Sequence, residues 1–516
     1  MVIPEKLKEL MSSGYQLTPE TFSFLMQETD RDEIIDKILK VKPEEIILDL
    51  DTIKKIIKTD ISKAGLGDIK EKKQAGVIEK KVVEKKIVQK RPPSAIPRER
   101  KNKIDTELEI INTPSMEIDR ISVDKFHEYF VSRFKQISKI FEGRRDIKNI
   151  VNTRYLKSID SRDQVSVIAS VFAKNERSNG IFSFELEDLE GKIEAILVKK
   201  PQAIIQKAIH VLEDSILCFT GQWRRGLLYI SDIFWPDIPY NKPVHYSEQD
   251  VFALFISDMH IGSRHFLRNV FMKSIKFLNA DLNSSKFNKI GEQIKYLFVA
   301  GDIVDGVGVY PNQDADLVLK NIKVQYLQAS EYFEKINSDI EIIIIPGNHD
   351  AARAAEPQSP IRKEFAEELY EIDNIHLLGS PAYIKAHNVE VLMSHGNSII
   401  DINAAIRDIP HESAVPAMVE MLRNRHLVPI YGQRTPIMPD YIDQLVINRI
   451  PDIFHVGHTH LCEDSTYRNV TLISSGTFQS QTEYQKSMNI NPNPGETYII
   501  NLKNLQRTAI DFKNIN

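Results

Sequence analysis

Apolar residues change their spacing several times along the chain, and each change marks an element or a boundary. In residues 1–60, Leu7, Leu10 and Met11 recur at three- and four-residue intervals, as do Phe22, Leu25 and Met26, and then Ile34, Ile35, Ile38 and Leu39. This is the period of an amphipathic helix. Thr18-Pro19-Glu20 adds an N-cap followed by proline in the first turn. The spacing predicts a small helical N-terminal domain over 1–60, read as a docking or scaffold bundle. From 61 to 120 the periodicity lapses into Glu71-Lys72-Lys73, Lys80-Lys81, Lys85-Lys86 and Lys90-Arg91, then Pro92-Pro93 and Pro97. So little apolar surface cannot offset the entropy of ordering the chain. A charged, disordered linker is predicted, and a solvated spacer is preferred to a basic tether on nucleic acid.

The helical period returns in Phe126, Tyr129, Phe130, Phe134, Ile137, Ile140 and Phe141. Beyond Gln164 the period falls to two over Val165–Lys174, Gly180–Leu186, Lys192–Val198, Ser215–Gly221 and Leu227–Phe234. A helix is expected at Pro201–Leu212, after the third run. Five strands with a helix after the third predict an OB-fold β-barrel within 121–245. Few aromatics alternate with basic residues there, so protein docking is preferred to strand binding. Over 246–516, short apolar runs alternate with helical stretches, the pattern of a layered α/β domain. The fold class is therefore multidomain α/β.

Composition narrows the function. A chain of 516 residues exceeds one ordinary core. The net charge of −5 excludes a globally basic nucleic-acid coat while leaving room for a local phosphate-binding groove. Cys218 and Cys462, with no Cys-x-x-Cys, exclude a disulfide framework and a cysteine zinc cluster. No apolar signal core follows Met1, and no apolar run is long enough to span a membrane. A cytoplasmic location is expected.

The chemistry lies where six apolar runs end in polar clusters. Phe252–Ile256 leads to Ser257-Asp258-Met259-His260, and Tyr296–Ala300 to Gly301-Asp302-Ile303-Val304-Asp305-Gly306. Ile342–Ile345 leads to Pro346-Gly347-Asn348-His349-Asp350, and Val391–Met393 to Ser394-His395-Gly396. Ile453–Val456 leads to Gly457-His458-Thr459-His460, and Thr471–Ile473 to Ser474-Ser475-Gly476. Ligands of open α/β sheets bind beyond the carboxyl ends of strands, so these clusters are expected to converge. Carboxylates mixed with imidazoles and one carboxamide suit Mn, Fe or Zn better than Ca or Mg. Asp302, central in the order, is the candidate bridge between two ions. His455, inside a strand, reads as a core histidine, and Cys462 as a bystander.

Asp-x-His, Gly-Asp-x-x-Asp-Gly, Gly-Asn-His-Asp, His-Gly and Gly-His-x-His, in this order, resemble the calcineurin-like metallophosphoesterase superfamily. The resemblance implies an αββα sandwich holding two divalent ions, Mn2+ first, with Fe or Zn as alternatives. One ion would take Asp258, His260, Asp302 and His460, and the other Asp302, Asn348, His395 and His458. His349 would be the general acid, with Asp350 orienting it. Arg264, His265 and Arg353, next to the motifs, are candidates for holding the DNA backbone.

Within that superfamily, Gly347–Gln358, Met421–Gly432 and Pro451–His458 resemble the small subunits of archaeal D-family DNA polymerases. One departure is Asn397-Ser398-Ile399-Ile400-Asp401 after His395-Gly396, where a basic residue and an earlier acid are expected. The family implies a 3′–5′ exonuclease acting on a DNA primer 3′ end. It also implies a heterodimer with a large polymerase subunit, other replication factors docking on the N-terminal unit, and residence at the archaeal nucleoid. A non-catalytic scaffold and a phosphatase are the competing readings.

Overall fold

The computed structural model describes residues 104–115, 121–158, 164–177, 180–198, 201–487 and 490–515. It also describes 6, 10, 16–17, 21, 25, 31–41, 47–48 and 53. The chain divides into Met1–Pro92 and Pro93–Asn516. In the first unit the helix Arg31–Val41 matches the predicted Ile34–Leu39 stripe, and Leu10, Leu25, Ile35, Ile38 and Ile53 are buried. Sequence spacing did not predict the short parallel pair of Gln16–Leu17 with Ile47–Leu48. Residues 61–103 and 116–120 of the expected linker lie outside the described residues.

The rest of that expected linker is corrected. Leu108–Asn112 is a strand (β1) that pairs antiparallel with Ala382–Ala386 at the edge of a sheet. Its ladder partner sits far away in sequence, so composition read locally could not reveal it. Helix α1, Val123–Phe141, begins at Ser122, whose hydroxyl accepts from Lys125 N at 3.2 Å. It buries Tyr129, Ile137 and Phe141, as its period predicts.

Five strands then close a barrel: β2 (Gln164–Glu176), β3 (Phe182–Asp188), β4 (Gly191–Leu197), β5 (Ile216–Arg224) and β6 (Leu227–Phe234). Their order around the ring is β2-β3-β4-β6-β5, with β5 closing on β2. Helix α2, Gln202–Ile209, fills the connection after β4. Val167, Ala169, Phe184, Leu186, Phe219 and Leu228 alternate into the barrel core.

Two six-stranded sheets follow. The first contains β7 (Phe252–Ile256), β8 (Ile294–Ala300), β9 (Glu341–Ile345) and β10 (Ile375–Leu377), all parallel, extended beyond β7 by the hairpin Glu496–Asn501 and Gln506–Asp511. The second holds β11 (Ala382–Ala386), β12 (Val389–Met393), β13 (Ile453–Val456), β14 (Glu463–Tyr467) and β15 (Val470–Ser474), with β1 at the edge beside β11. Phe255, Phe298, Ile343 and Ile345 meet Val391, Met393, Ile453 and Ile473 between the sheets. On the outer face of the first sheet, Leu254, Leu297 and Ile344 pack on helices α3 (Arg268–Leu278) and α4 (Ile322–Phe333) through Phe271, Ile275 and Tyr326. Leu392, Phe454 and Leu472 do the same for the second with α5 (Ile399–Ala405) and α6 (Ala414–Asn424). Strands buried on both faces must read as unbroken apolar runs, which is why the six runs were legible.

Candidate metal centre

Strands β7, β8, β9, β12 and β13 all stop at their polar clusters, and their loops turn toward one point. Asp258, His260 and His460 bring donor atoms within 4.8 Å of one another, as do Asp258, Asp302 and His395, and also His260, Asp302 and His349. His260 Nε2 and His460 Nε2 are 3.0 Å apart, and His460 Nε2 is 3.4 Å from Asp258 Oδ1. On the other side of Asp302, Asn348 Oδ1 lies 3.1 Å from His395 Nε2 and 3.0 Å from His458 Nδ1. Asp302 Oδ2 stands between these groups, 3.4 Å from His395 Nε2 and 3.8 Å from His260 Nε2. All seven predicted ligands are brought together.

The backbone is bent to achieve this. Asp258, His260, Asp302, His458 and His460 take φ values of 53°, 51°, 51°, 69° and 61°. A side chain in this left-handed region costs about 1–3 kcal/mol per residue. Five such residues in one cluster mark a site where geometry is held against local preference. Glycines allow the close approach: a Cβ on Gly347 would lie 2.7 Å from Asp302 Cγ, and one on Gly457 would lie 2.6 Å from Asp258 Oδ2.

Surrounding groups fix which imidazole nitrogen faces the cluster. His395 Nδ1–H donates to the Ala300 carbonyl at 2.7 Å, turning Nε2 inward. His260 Nδ1–H donates to Asp305 Oδ1 at 3.1 Å, and that carboxylate also accepts from Gln313 at 3.0 Å and Gln479 at 3.1 Å. Carboxylate–histidine pairs of this kind orient metal-binding rings. The Gln485 amide lies 2.8 Å from His460 Nδ1 and is set by its place at a helix start, where Gln485 Oε1 accepts from Thr482 N and Thr482 Oγ1 accepts from Gln485 N. Asp305, Gln479 and Gln485 were not among the predicted site residues. The Gly-Asp-x-x-Asp-Gly motif carried a signal for Asp305, and the Thr-x-x-Gln spacing one for Gln485.

Electrostatics favour cations. Burial alone would raise the Asp302 carboxyl, but His395, His349 and His260 outweigh it and hold it well below the usual carboxylate range. Burial opposes charge on His395, yet Asp302 and Asp258 push it up to about 10. The imidazolium balances the buried carboxylates, so a bound ion must displace its proton. Burial, reinforced by His395, drives His458 down to about 3, leaving it neutral.

His349 and Asp350 divide. The His349 backbone N–H donates to Asp302 Oδ1 at 2.8 Å, and its Nδ1–H donates to the Asp305 carbonyl at 2.7 Å, so its ring stands beside His260. The expectation that Asp350 orients this ring is corrected. Its buried carboxylate accepts from Gly347 N at 3.0 Å, Ile303 N at 3.3 Å, Val304 N at 3.4 Å and the Tyr326 hydroxyl at 2.9 Å. With its lone pairs so engaged, Asp350 staples the Asp302 loop to the Gly347 loop instead. Burial, with Asp302 nearby, raises it to about 6.

A cavity of about 790 Å3 opens onto the cluster, lined by His260, Asp302, Asn348, His349, His458 and His460. The three expected DNA contacts do not line it. Arg264 is exposed elsewhere, His265 lies by Asp316 and Ser480, and Arg353 Nε donates to the Pro357 carbonyl at 3.1 Å. His455 is the expected core histidine, bonded to Ser475 Oγ at 2.7 Å.

Known proteins bear on this site. The family of DNA polymerase alpha/epsilon B-subunits matches residues 253–463. A Pyrococcus furiosus protein named DNA polymerase II small subunit is 38% identical over 384 residues, covering 74% of this chain and 62% of the relative. The chain thus spans less than two thirds of that relative's length. Proteins of the same name are 37% identical in Methanothermobacter thermautotrophicus, covering 80% of this chain and 84% of the relative, and 31% identical in Archaeoglobus fulgidus, covering 95% and 94%. With identity above 30% sustained across most of both chains, this protein belongs to the archaeal DNA polymerase II, or D-family, small-subunit family.

Proposed function

We propose that this chain is a metal-dependent 3′–5′ exonuclease that trims DNA primer ends for a large polymerase subunit, with which it forms a heterodimer in the archaeal cytoplasm at the nucleoid. The observation that carries the reading is the convergence of seven donors, five of them on left-handed backbone. The donor set fits two divalent ions. Ligands held at about 2.1 Å from one ion stand no more than about 4.2 Å apart, and the separations of 3.0–3.9 Å among Asp258, His260, Asp302 and His460 lie inside that limit. Mn2+, Fe or Zn suits the mixed oxygen and nitrogen donors.

When bound, such ions acidify water and neutralise phosphate charge. Asp258, His260 and His460 would hold one, Asn348, His395 and His458 the other, and Asp302 would touch both. His349, anchored through Nδ1–H to the Asp305 carbonyl, keeps Nε2 free to deliver a proton to the departing 3′ oxygen. Asp305 aligns His260 and His349 together, through its carboxylate and its carbonyl. The helix–sheet–sheet–helix layering supports a calcineurin-like phosphoesterase fold. The ring order β2-β3-β4-β6-β5, with α2 after the third strand, supports an OB-fold. The N-terminal unit is assigned to docking other replication factors.

The test is digestion of labelled matched and mismatched primer ends in Mn2+, with and without the large subunit. Mononucleotide release is expected, falling about 10²- to 10⁴-fold in His349→Ala. A protein that loads two ions yet leaves every primer end and every simple phosphodiester intact would point to the scaffold reading instead.

A further inference from the structure

The donor cluster is buried at its base, with Asp258 and His395 at 0% exposure, and partly open at Asn348 and His458, so any phosphate reaches it through the 790 Å3 cavity. The remaining lining of that cavity includes Tyr310, Ile400, Arg434, Tyr484 and Ile490. These residues are used neither to hold ions nor to orient their ligands.

Tyr310 stands beside the proposed acid, its ring centroid 6.1 Å from that of His349, and its hydroxyl donates to Asp316 Oδ2 at 3.3 Å. Tyr484 leaves 60% of its surface to solvent at the cavity mouth. It sits on the same short helix as Gln485, whose side chain touches His460, so its place relative to the cluster is fixed. Arg434 is delivered by a loop tied down from within. The buried Asp401 carboxylate accepts from Arg434 N at 3.2 Å, Thr435 N at 3.0 Å and Thr435 Oγ1 at 2.6 Å. That carboxylate is spent on backbone and hydroxyl donors. The Arg434 guanidinium has no hydrogen-bond or ion-pair partner among the described residues, and no other lysine or arginine among them lines the cavity.

An unpaired guanidinium and two tyrosines lining the approach to the proposed phosphodiesterase centre are the parts of a single-strand platform, where cations track the backbone and rings stack bases. We propose that Arg434, Tyr310 and Tyr484 form a subsite for single-stranded DNA, with Arg434 holding a phosphate next to the scissile one and the tyrosines stacking the terminal bases. This subsite rests on the nuclease reading for its purpose but has its own readout. It also favours a frayed end over a paired one, because stacked tyrosines receive only unpaired bases.

The full chain is titrated against a labelled oligo-dT in EDTA, where no cleavage occurs, over a range of salt concentrations. Each phosphate contact to a single strand contributes about 0.7 to the slope of log K against log salt. Arg434→Ala is expected to lower that slope by about 0.7, and Arg434→Lys to retain it. Tyr484→Ala is expected to weaken binding about tenfold, and Tyr484→Phe to leave it at the wild-type level. Wild-type affinity and slope in both alanine variants would overturn the subsite, as would thymidine monophosphate binding as tightly as the oligonucleotide. Hydrolysis of bis(p-nitrophenyl) phosphate by the wild-type chain in Mn2+ is followed in parallel. Its failure removes the phosphodiesterase reading, while the salt slope still decides the subsite.

Discussion

Gly347→Ala is the sharpest probe of how tightly the loops are packed around Asp302. The new methyl carbon would overlap Asp302 Oδ1 and lie 2.6 Å from Asp302 N and 2.7 Å from Asp302 Cγ. Carbon atoms in contact keep about 3.5 Å, so relieving the Cγ contact alone needs about 0.8 Å, and the closer Oδ1 contact makes the β8 and β9 loops separate by about 1 Å or more. Overpacking of this kind costs about 1–3 kcal/mol, which a domain stable by about 5–15 kcal/mol survives. Asp302 is the shared carboxylate of the proposed centre, so a shift of that size is expected to weaken Mn2+ binding at least 10- to 100-fold, the loss typical of disturbing a ligand's supports. Gly226→Ala is the control for a stability loss without crowding. Nothing lies within 4 Å of the carbon added at Gly226, whose left-handed φ of 75°, absent at Gly347, makes the substitution strain a barrel turn without touching the cage. Urea unfolding measures the stability of both variants, and equilibrium dialysis with metal analysis measures their Mn2+ affinity. If Gly347→Ala binds Mn2+ as tightly as the wild type while Gly226→Ala shows the same stability loss, the claimed crowding at Asp302 is wrong.

Two further predictions use groups away from the ions. Asp305→Asn replaces the carboxylate that orients His260; a drop in Mn2+ affinity of about 10- to 100-fold, with little change in the urea midpoint, is expected. Asp443 bridges buried Arg133 Nε at 2.6 Å and His426 Nε2 at 2.9 Å, joining α1 to the segment after α6. Burial would raise its pKa, but His426 and Arg133 outweigh it and depress it. An unfolded aspartate titrates near pH 3.9, so this contribution is fully present above that value and is lost as pH falls further. His426, held down mainly by burial, adds a loss below about pH 6.5, where the unfolded chain takes the proton more readily. Asp443→Asn is expected to cost about 3–5 kcal/mol at neutral pH and to flatten the acid limb of a stability–pH curve.

What could be read in the sequence was whatever local pattern determines. Runs such as Ile342–Ile345 are apolar throughout because both faces of β9 are buried, and the residues just past them had to lie at one end of the sheets. That pattern predicted the convergence of the clusters, while the candidate ligands came from the resemblance of their motifs to a known superfamily. β1 escaped because its pairing partner lies far along the chain and Ile110 remains 42% exposed, so the segment looks no more apolar than a linker. Sequence adjacency misled for Asp350 and Arg353, because neighbours in a tight loop point in different directions. Asp350 turns inward to backbone N–H groups, and Arg353 turns to the Pro357 carbonyl. Gln479, Gln485 and Arg434 reach the site from segments with no metal motif, which only the folded chain brings near.

A pair of cations sharing Asp302 is open to view by anomalous diffraction from manganese-soaked crystals. Two peaks are predicted on either side of the Asp302 carboxylate, one among Asp258, His260 and His460 and one among Asn348, His395 and His458. At saturating manganese, density without a peak at that carboxylate, or peaks confined to surface acids, would rule out the shared pair.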